Sequence, residues 1–179
     1  FSDLRDEKFD DWIKKINPLK NRSENYGTAF TQDDFWPAFY NDLSRIEKEL
    51  IIFSPFLTSD RLGKLQLIFN EIIKKGIKIF VITLPPNQQP NIMRADSIEV
   101  MVKLKEMRIG LKFRIGMHEK IAILDDKIEW FGSLNILSHN NRKEYMKRFE
   151  GDTSIKELKN KYDLENLLYK ENINGEFCP

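Results

Sequence analysis

Apolar residues recur at two different spacings in the central part of the chain. Between residues 35 and 46, and again between 62 and 72, they return every three or four positions, which predicts two amphipathic helices. Each helix leads into an apolar run, continuous at 50–53 and nearly so at 77–84, typical of strands buried on both faces. A strand, a helix and a second strand joined by short turns predict a right-handed βαβ unit. We therefore expect an α/β fold with a mixed, largely parallel central sheet and helices on both faces.

Two further elements follow the βαβ unit. Asp96 with Glu99 three positions later has the spacing of a capping box, which predicts that a helix begins there. The apolar run 121–124 and a second run, 128–131, that is apolar except for Glu129 then flank a polar turn at 125–127, a pattern that indicates a β-hairpin. The hairpin is expected to lie in the centre of the sheet.

The pattern weakens towards both ends of the chain. Residues 1–34 are charged and weakly periodic, and we interpret them as an arm that is either a docking helix or a piece of a preceding domain. Residues 35–170 form the predicted domain, whose first helix is expected to be capped by Asp33 or Asp34. Residues 171–179 are the predicted C-terminal tail.

Composition narrows the class of protein. The chain has 179 residues and a formal net charge of +1, too small to indicate nucleic-acid binding by itself. Charge is nevertheless uneven, because residues 101–150 hold eleven Lys and Arg against seven Asp and Glu, and such a basic region suits a polyanionic substrate. Cys178 is the single cysteine, which excludes an internal disulfide and favours a cytoplasmic setting. No apolar run is long enough to span a membrane, and the start at Phe1 favours a processed or excised piece.

One stretch, residues 118–135, carries the candidate chemistry. It contains His118, Lys120 and Asp125 in the spacing H-x-K-x4-D, followed by Gly132, Ser133 and Asn135 as G-S-x-N. Because residues i and i+2 of a strand share a face, the imidazole and the ammonium should lie side by side on a central strand. An imidazole beside a cation is suited to attack on a phosphodiester, and the Gly-Ser pair with the amide can approach the same anion.

This motif resembles the signature of the phospholipase D superfamily, over roughly residues 49–149. The resemblance implies a metal-independent phosphodiesterase in which one histidine forms a phosphohistidine and a second protonates the leaving oxygen. It assigns His118 as nucleophile, Lys120 and Asn135 to the non-bridging oxygens, and Ser133 to substrate binding. Asp125 belongs to the motif with a structural role, and Glu144 is implied to orient a catalytic imidazole. No metal site or cofactor is expected.

A single motif copy supplies one motif histidine, so the resemblance further implies a homodimer with its site at a two-fold axis. The other histidine, His139, lies outside the motif and is interpreted as a local hydrogen-bonding residue. The chain is also similar to a phospholipase D-like module of helicase-type proteins, which implies a larger parent polypeptide. Cys178-Pro179 then fits the start of a truncated zinc knuckle.

Three functions follow from different classes. The preferred one is a nuclease, with DNA favoured over RNA as the partner. The second is a phospholipase or phosphatidyl transferase, although such enzymes usually carry two motifs and an apolar membrane-contacting surface. The third is an inactive nucleic-acid-binding module, which would normally have lost His118, Lys120 or Asn135, and all three are present.

Overall fold

The computed structural model describes residues 27–138, 143–151 and 153–169. Within these residues, strands and helices alternate in the first half of the chain, and strands dominate the middle. The elements in chain order are β1 (Thr28–Thr31), α1 (Gln32–Ser44), β2 (Glu49–Phe53), α2 (Ser59–Lys74), β3 (Lys78–Thr83), a short 3-10 helix (Pro86–Gln88), α3 (Arg94–Glu106), β4 (Gly110–Phe113), β5 (Ile121–Leu124), β6 (Ile128–Gly132), β7 (Tyr145–Glu150), α4 (Thr153–Lys161) and α5 (Leu164–Tyr169).

The strands of the described residues form one sheet in the order β1-β7-β6-β5-β2-β3-β4. Strand β2 pairs in parallel with β3, and β3 in parallel with β4. The other four neighbouring pairs are antiparallel. The predicted mixed sheet is therefore confirmed, but the prediction that it is largely parallel is wrong. Strand β5 enters beside β2 in the opposite direction, and the connections that follow it keep the antiparallel arrangement.

The segment between β4 and β5 brings the motif to one end of the sheet. Strand β4 lies at the edge, whereas β5 pairs with β2, so residues 114–120 must cross the ends of β3 and β2. Arg114 N–H donates to the Thr83 carbonyl at 2.9 Å, which fixes the start of the crossing. His118 and Lys120 lie in this segment just before β5. The prediction that they lie on a central strand is wrong, because the chain becomes a regular strand only at Ile121.

Helices cover both faces of the sheet, as predicted. On one face, α1, α2 and α3 pack against alternate strand residues such as Leu50 and Ile52. On the other face, α4 and α5 pack against the intervening residues, among them Ile51 and Phe53. This alternation along β2 is what a strand buried on both sides requires.

A buried polar group ties the first helix to the sheet. The Asp42 carboxylate of α1 accepts the Trp130 indole N–H of β6 at 2.8 Å and pairs with Arg148 of β7 at 2.7 and 3.0 Å. Because a buried carboxylate is costly unless it is paired, these contacts fix the position of α1 on β6 and β7.

Three local predictions change at the ends of elements. Helix α1 is capped by Thr31, whose Oγ1 accepts the Asp34 N–H at 3.4 Å, and not by Asp33 or Asp34. Asp96 does not cap α3 and instead accepts hydrogen bonds from Ser59. Strand β1 pairs with β7, so residues 28–31, assigned above to the arm, are part of the sheet. The rest of the predicted arm up to residue 26 and the predicted tail lie outside the described residues.

Candidate active site

The backbone of His118 is held from both sides while its side chain is exposed. Its N–H donates to the Glu119 carboxylate, with 2.9 Å between the nitrogen and Oε2. Its carbonyl accepts from the Lys120 ammonium, with 2.5 Å between Nζ and the oxygen. His118 is exposed to solvent, so its imidazole is accessible at the end of the sheet.

Lys120 and Glu119 point to opposite sides of the sheet. The Glu119 carboxylate accepts from the Tyr162 hydroxyl, which belongs to the connection between α4 and α5. Lys120 directly precedes β5, whose Ala122 two positions later packs on the α1–α3 side, and it interacts electrostatically with Glu144. This opposition is what two successive residues entering a strand should show. His118, two positions earlier, lies in the irregular segment, and its carbonyl accepts from the Lys120 ammonium.

The pKa of Lys120 is shifted by burial and, in the opposite direction, by acidic neighbours. Partial burial is the largest influence and lowers the pKa of Lys120. The carboxylates of Glu144 and Glu119 act in the opposite direction and favour the ammonium form. Lys120 is thus a partly desolvated cation beside His118, suited to binding an anion.

Arg61 is a residue of this site that the sequence analysis missed. It lies in the first turn of α2 and is only 7% exposed, with its guanidinium carbon 4.1 Å from the centre of the Trp36 ring. Burial lowers the pKa of Arg61, while the charges of Tyr40, Asp60 and Glu144 raise it. A cation in the apolar stripe of a helix, in phase with Leu65 and Ile68, was the sequence feature that could have revealed it.

Gly132 and Ser133 lie where the end of β6 approaches the start of β7 closely. A Cβ on Gly132 would lie 2.2 Å from the Tyr145 carbonyl oxygen, so only glycine fits this approach of two strands. Ser133 N–H donates to that same carbonyl at 3.0 Å, and its Oγ accepts the Tyr145 N–H at 3.1 Å. Both residues therefore shape the edge of the site through strand pairing.

Asn135 lies in a loop that is fastened to the start of α2. Thr58 N–H donates to the Leu137 carbonyl at 2.8 Å, and Leu137 N–H donates to Ser54 Oγ at 3.1 Å. Asn135 itself is 5% exposed, and within the described residues its Oδ1 has no hydrogen-bond partner. Buried side-chain oxygens are usually hydrogen-bonded, so Asn135 is unusual among the buried residues of this part of the chain.

Asp125 lies at the opposite end of β5. Its carboxylate accepts the N–H groups of Glu47, Lys48 and Glu49 at 2.8, 2.7 and 3.1 Å. The four residues of β5 separate it from Lys120, a distance of roughly 16 Å at the usual rise of a strand. The structural role that the resemblance implied for Asp125 matches these contacts.

The structure thus gathers five of the six predicted site residues at one end of the sheet and leaves Asp125 at the other. The five are His118, Lys120, Ser133, Asn135 and Glu144. His139 lies outside the described residues, so its hydrogen-bonding role stays a prediction. The described part of the chain holds no group of three or more His, Cys, Asp or Glu placed to bind a metal ion. Metal independence remains a prediction.

Comparison with known proteins gives one family match and several relatives. The family model described as cardiolipin synthase, PLD-like domain, matches residues 40–164. Cardiolipin synthase B of Salmonella typhi is 26% identical over 153 residues, and so is that of Salmonella typhimurium. The match covers 75% of this chain and 36% of each relative, so the chain spans about a third of their length.

Two solved structures share the fold over their whole length. NucT from Helicobacter pylori superposes with a TM-score of 0.63 at 20% identity, covering 80% of this chain and 98% of its own. Nuc from Salmonella typhimurium, a phospholipase D family member, gives a TM-score of 0.58 at 15% identity, covering 79% and 96%. At these identities the similarity establishes the fold. Among the described residues, no helix is long and apolar enough to cross a membrane.

Proposed function

The chain belongs to the phospholipase D-like family of the cardiolipin synthase type, and from this premise we propose that it is a metal-independent phosphodiesterase acting on nucleic acid. The predicted membership of a superfamily of phosphodiesterases is confirmed by the family match. One observation carries the proposed reaction. The backbone of His118 is held by Glu119 and Lys120, the residue is exposed to solvent, and the Lys120 ammonium lies 2.5 Å from its carbonyl oxygen.

The proposed reaction proceeds in two displacements. A ring nitrogen of His118 attacks phosphorus, the bond from phosphorus to the leaving oxygen breaks, and that oxygen takes a proton from a second imidazole. Water then attacks the phosphohistidine, gives its proton back to the second imidazole, and releases His118. Lys120 and Asn135 bind the non-bridging oxygens as charge develops on them.

The second imidazole is proposed to be the His118 of another copy of the chain in a homodimer. Support comes from an exposed aromatic pair near the site, Phe131 at 47% and Tyr145 at 54% exposure. Phe131 pairs with Ile121 of β5, and Gly132 N–H donates to the Lys120 carbonyl at 3.2 Å. Both side chains lie at the same end of the sheet as His118, and an exposed apolar surface there is what a contact between two copies would need.

Nucleic acid is the preferred substrate because of charge. Residues 101–150 carry an excess of four positive charges, eleven Lys and Arg against seven Asp and Glu, and Lys143 and Lys147 of this region are exposed near the site. We propose DNA before RNA, a cytoplasmic setting and a place within a larger DNA- or RNA-processing protein, as the sequence predicted.

A phospholipase or phosphatidyl transferase is the second candidate. The observation in its favour is the similarity to cardiolipin synthase B, although this chain spans only 36% of that protein. An inactive binding module is the third candidate, and the presence of His118, Lys120 and Asn135 at one end of the sheet argues against it.

One experiment separates these candidates. The purified chain is incubated with labelled single- and double-stranded DNA, RNA and a phospholipid, in EDTA. We expect cleavage of nucleic acid, its loss in His118→Ala, and a decrease of about a hundred- to a thousandfold in Lys120→Ala and in Asn135→Ala. Lys74→Ala, at the far end of α2, is the matched control and should cleave like the wild type. Activity that requires Mg²⁺ and survives His118→Ala would contradict the mechanism, and cleavage of phospholipid alone would favour the second candidate.

A further inference from the structure

Glu119, the residue between the motif histidine and lysine, makes contacts with three other residues. Its Oε2 accepts the His118 N–H at 2.9 Å. Its Oε1 accepts from the Arg114 guanidinium at 3.2 Å and from the Tyr162 hydroxyl at 3.0 Å. The carboxylate therefore joins the backbone of His118 to Arg114 at the start of the crossing segment and to Tyr162 in the connection between α4 and α5.

The partners of Glu119 are themselves packed together. The Arg114 guanidinium carbon lies 4.2 Å from the centre of the Tyr162 ring. The Tyr162 ring lies 5.4 Å from that of Phe53, which is fully buried at the end of β2. Arg114 is held in addition by its backbone bond to Thr83 of β3. The carboxylate is thus bound to groups whose positions are fixed by the core of the sheet.

From these contacts we propose that Glu119 is a positioning residue that fixes the His118 backbone so that the imidazole meets its phosphate in one orientation. The irregular segment before β5 has no strand partner at His118, so a side chain, and not a neighbouring strand, accepts the backbone N–H of His118. Although partial burial raises the pKa of Glu119, hydrogen bonds from backbone N–H groups and Tyr162, with the charge of Arg114, hold it below its usual value. Glu119 is therefore an ionised acceptor at neutral pH.

A rigid support for a reacting group affects the rate more than it affects binding. Holding the nucleophile in its attack geometry lowers the barrier of the chemical step, and a displacement of about 1 Å can cost about a hundredfold. Among the described residues, Lys120 and Asn135, which are proposed to bind the phosphate, make no hydrogen bond with the Glu119 carboxylate, and Glu144 acts on the charge of Lys120 more than Glu119 does. Loss of Glu119 should consequently lower kcat and leave KM nearly unchanged.

The test uses two variants of Glu119 and one control. Glu119→Ala removes all three contacts, and Glu119→Gln keeps an acceptor for the His118 N–H but loses the charge. Glu157→Gln, an exposed position on α4, is the matched control. We expect kcat to fall by about ten- to a hundredfold in Glu119→Ala and by less in Glu119→Gln, with KM within about twofold in both. Tyr162→Phe, which removes one contact only, should fall between the Glu119→Gln variant and wild type.

A second measurement does not depend on activity, which matters because the kinetic prediction rests on the proposed function. The His118 amide should exchange with solvent faster in Glu119→Ala than in wild type and Glu157→Gln, as followed by NMR. Unchanged exchange, or a rise in KM with unchanged kcat, overturns the positioning role. If wild type cleaves no phosphodiester, the proposed function fails, while the exchange measurement still decides whether Glu119 holds His118.

Discussion

The pKa of Lys120 is influenced by a residue that lies far from it in the sequence. Burial lowers the pKa of Lys120, and Glu144, twenty-four positions later, is the first group that opposes this effect. The same carboxylate acts on Arg61 of α2. Glu144 thus acts on two partly desolvated cations, and its removal should be felt at both.

Glu144→Gln should lower the pKa of Lys120. The carboxylate favours the ammonium form, so replacing it by a neutral amide of similar size leaves burial less opposed, and Lys120 should lose its proton at a lower pH. Titration of the Lys120 Cε resonance by NMR measures the change without requiring an active enzyme. Glu47→Gln is the matched control, because Glu47 pairs with Lys127 at the other end of the sheet. An unchanged or higher pKa of Lys120 would show that Glu144 does not support its charge.

The element that orients the motif is the β5–β6 hairpin, and its turn is held by one side chain. Asp125 has a φ of +55°, in the left-handed region that Asp and Asn tolerate better than most residues. Its carboxylate collects three backbone N–H groups from the start of β2. The hairpin is therefore anchored to the start of β2 at the end of the sheet opposite the site. This anchor also fixes the position of β5 where the crossing segment enters it.

Asp125→Asn should destabilise the fold. The amide retains one oxygen and replaces the other by a donor, which faces N–H groups, so we expect a loss of about 2 kcal/mol in the free energy of unfolding. Urea denaturation measures it. Asp126→Asn is the matched control, since Asp126 has a φ of +57° in the same turn but pairs with Lys159 at the surface, and it should cost less than about 1 kcal/mol. Equal effects of the two variants would mean that the turn geometry, and not the three hydrogen bonds, sets the stability.

Local patterns predicted elements well where the residues that decide them are adjacent in the chain. The hairpin at 121–131 and the βαβ unit formed as the apolar runs indicated. The prediction that Asp96 begins a helix was wrong. An acidic side chain that can cap a helix can also accept hydrogen bonds from a distant residue, here Ser59, thirty-seven positions away. Strand β1 was missed because its four residues form a strand only by pairing with β7. Such tertiary partners leave no local pattern.

The same limit applies to the site as a whole. The motif spacing predicted His118, Lys120 and Asn135, because their chemistry is carried by a short stretch of chain. Arg61 and Glu119 remained hidden, since their roles depend on Trp36 and Tyr162, which only the fold brings near. The prediction of a largely parallel sheet was wrong for the same reason. The chain crosses from β4 to β5 over the ends of two other strands, and β5 then pairs antiparallel with β2.

At the scale of the whole molecule, a single chain offers one motif histidine where the proposed reaction needs two imidazoles. Both must reach the same phosphate, within about 3 Å of the atoms they serve. The exposed imidazole of His118 at the end of the sheet permits this if two copies meet there. The proposed homodimer therefore makes a prediction about how inactive chains affect active ones.

Mixed dimers should be inactive if two copies of His118 form one site. Wild type and His118→Ala chains are unfolded together, refolded at different ratios, and assayed at constant total protein. When each site needs both histidines, activity should follow the square of the wild-type fraction, so an equal mixture should retain about a quarter of wild-type activity. Mixing with Glu157→Gln, expected to be fully active, controls for refolding. A linear decrease, with about half of the activity at equal mixing, would mean that each chain works alone and that the second proton donor lies within the same chain.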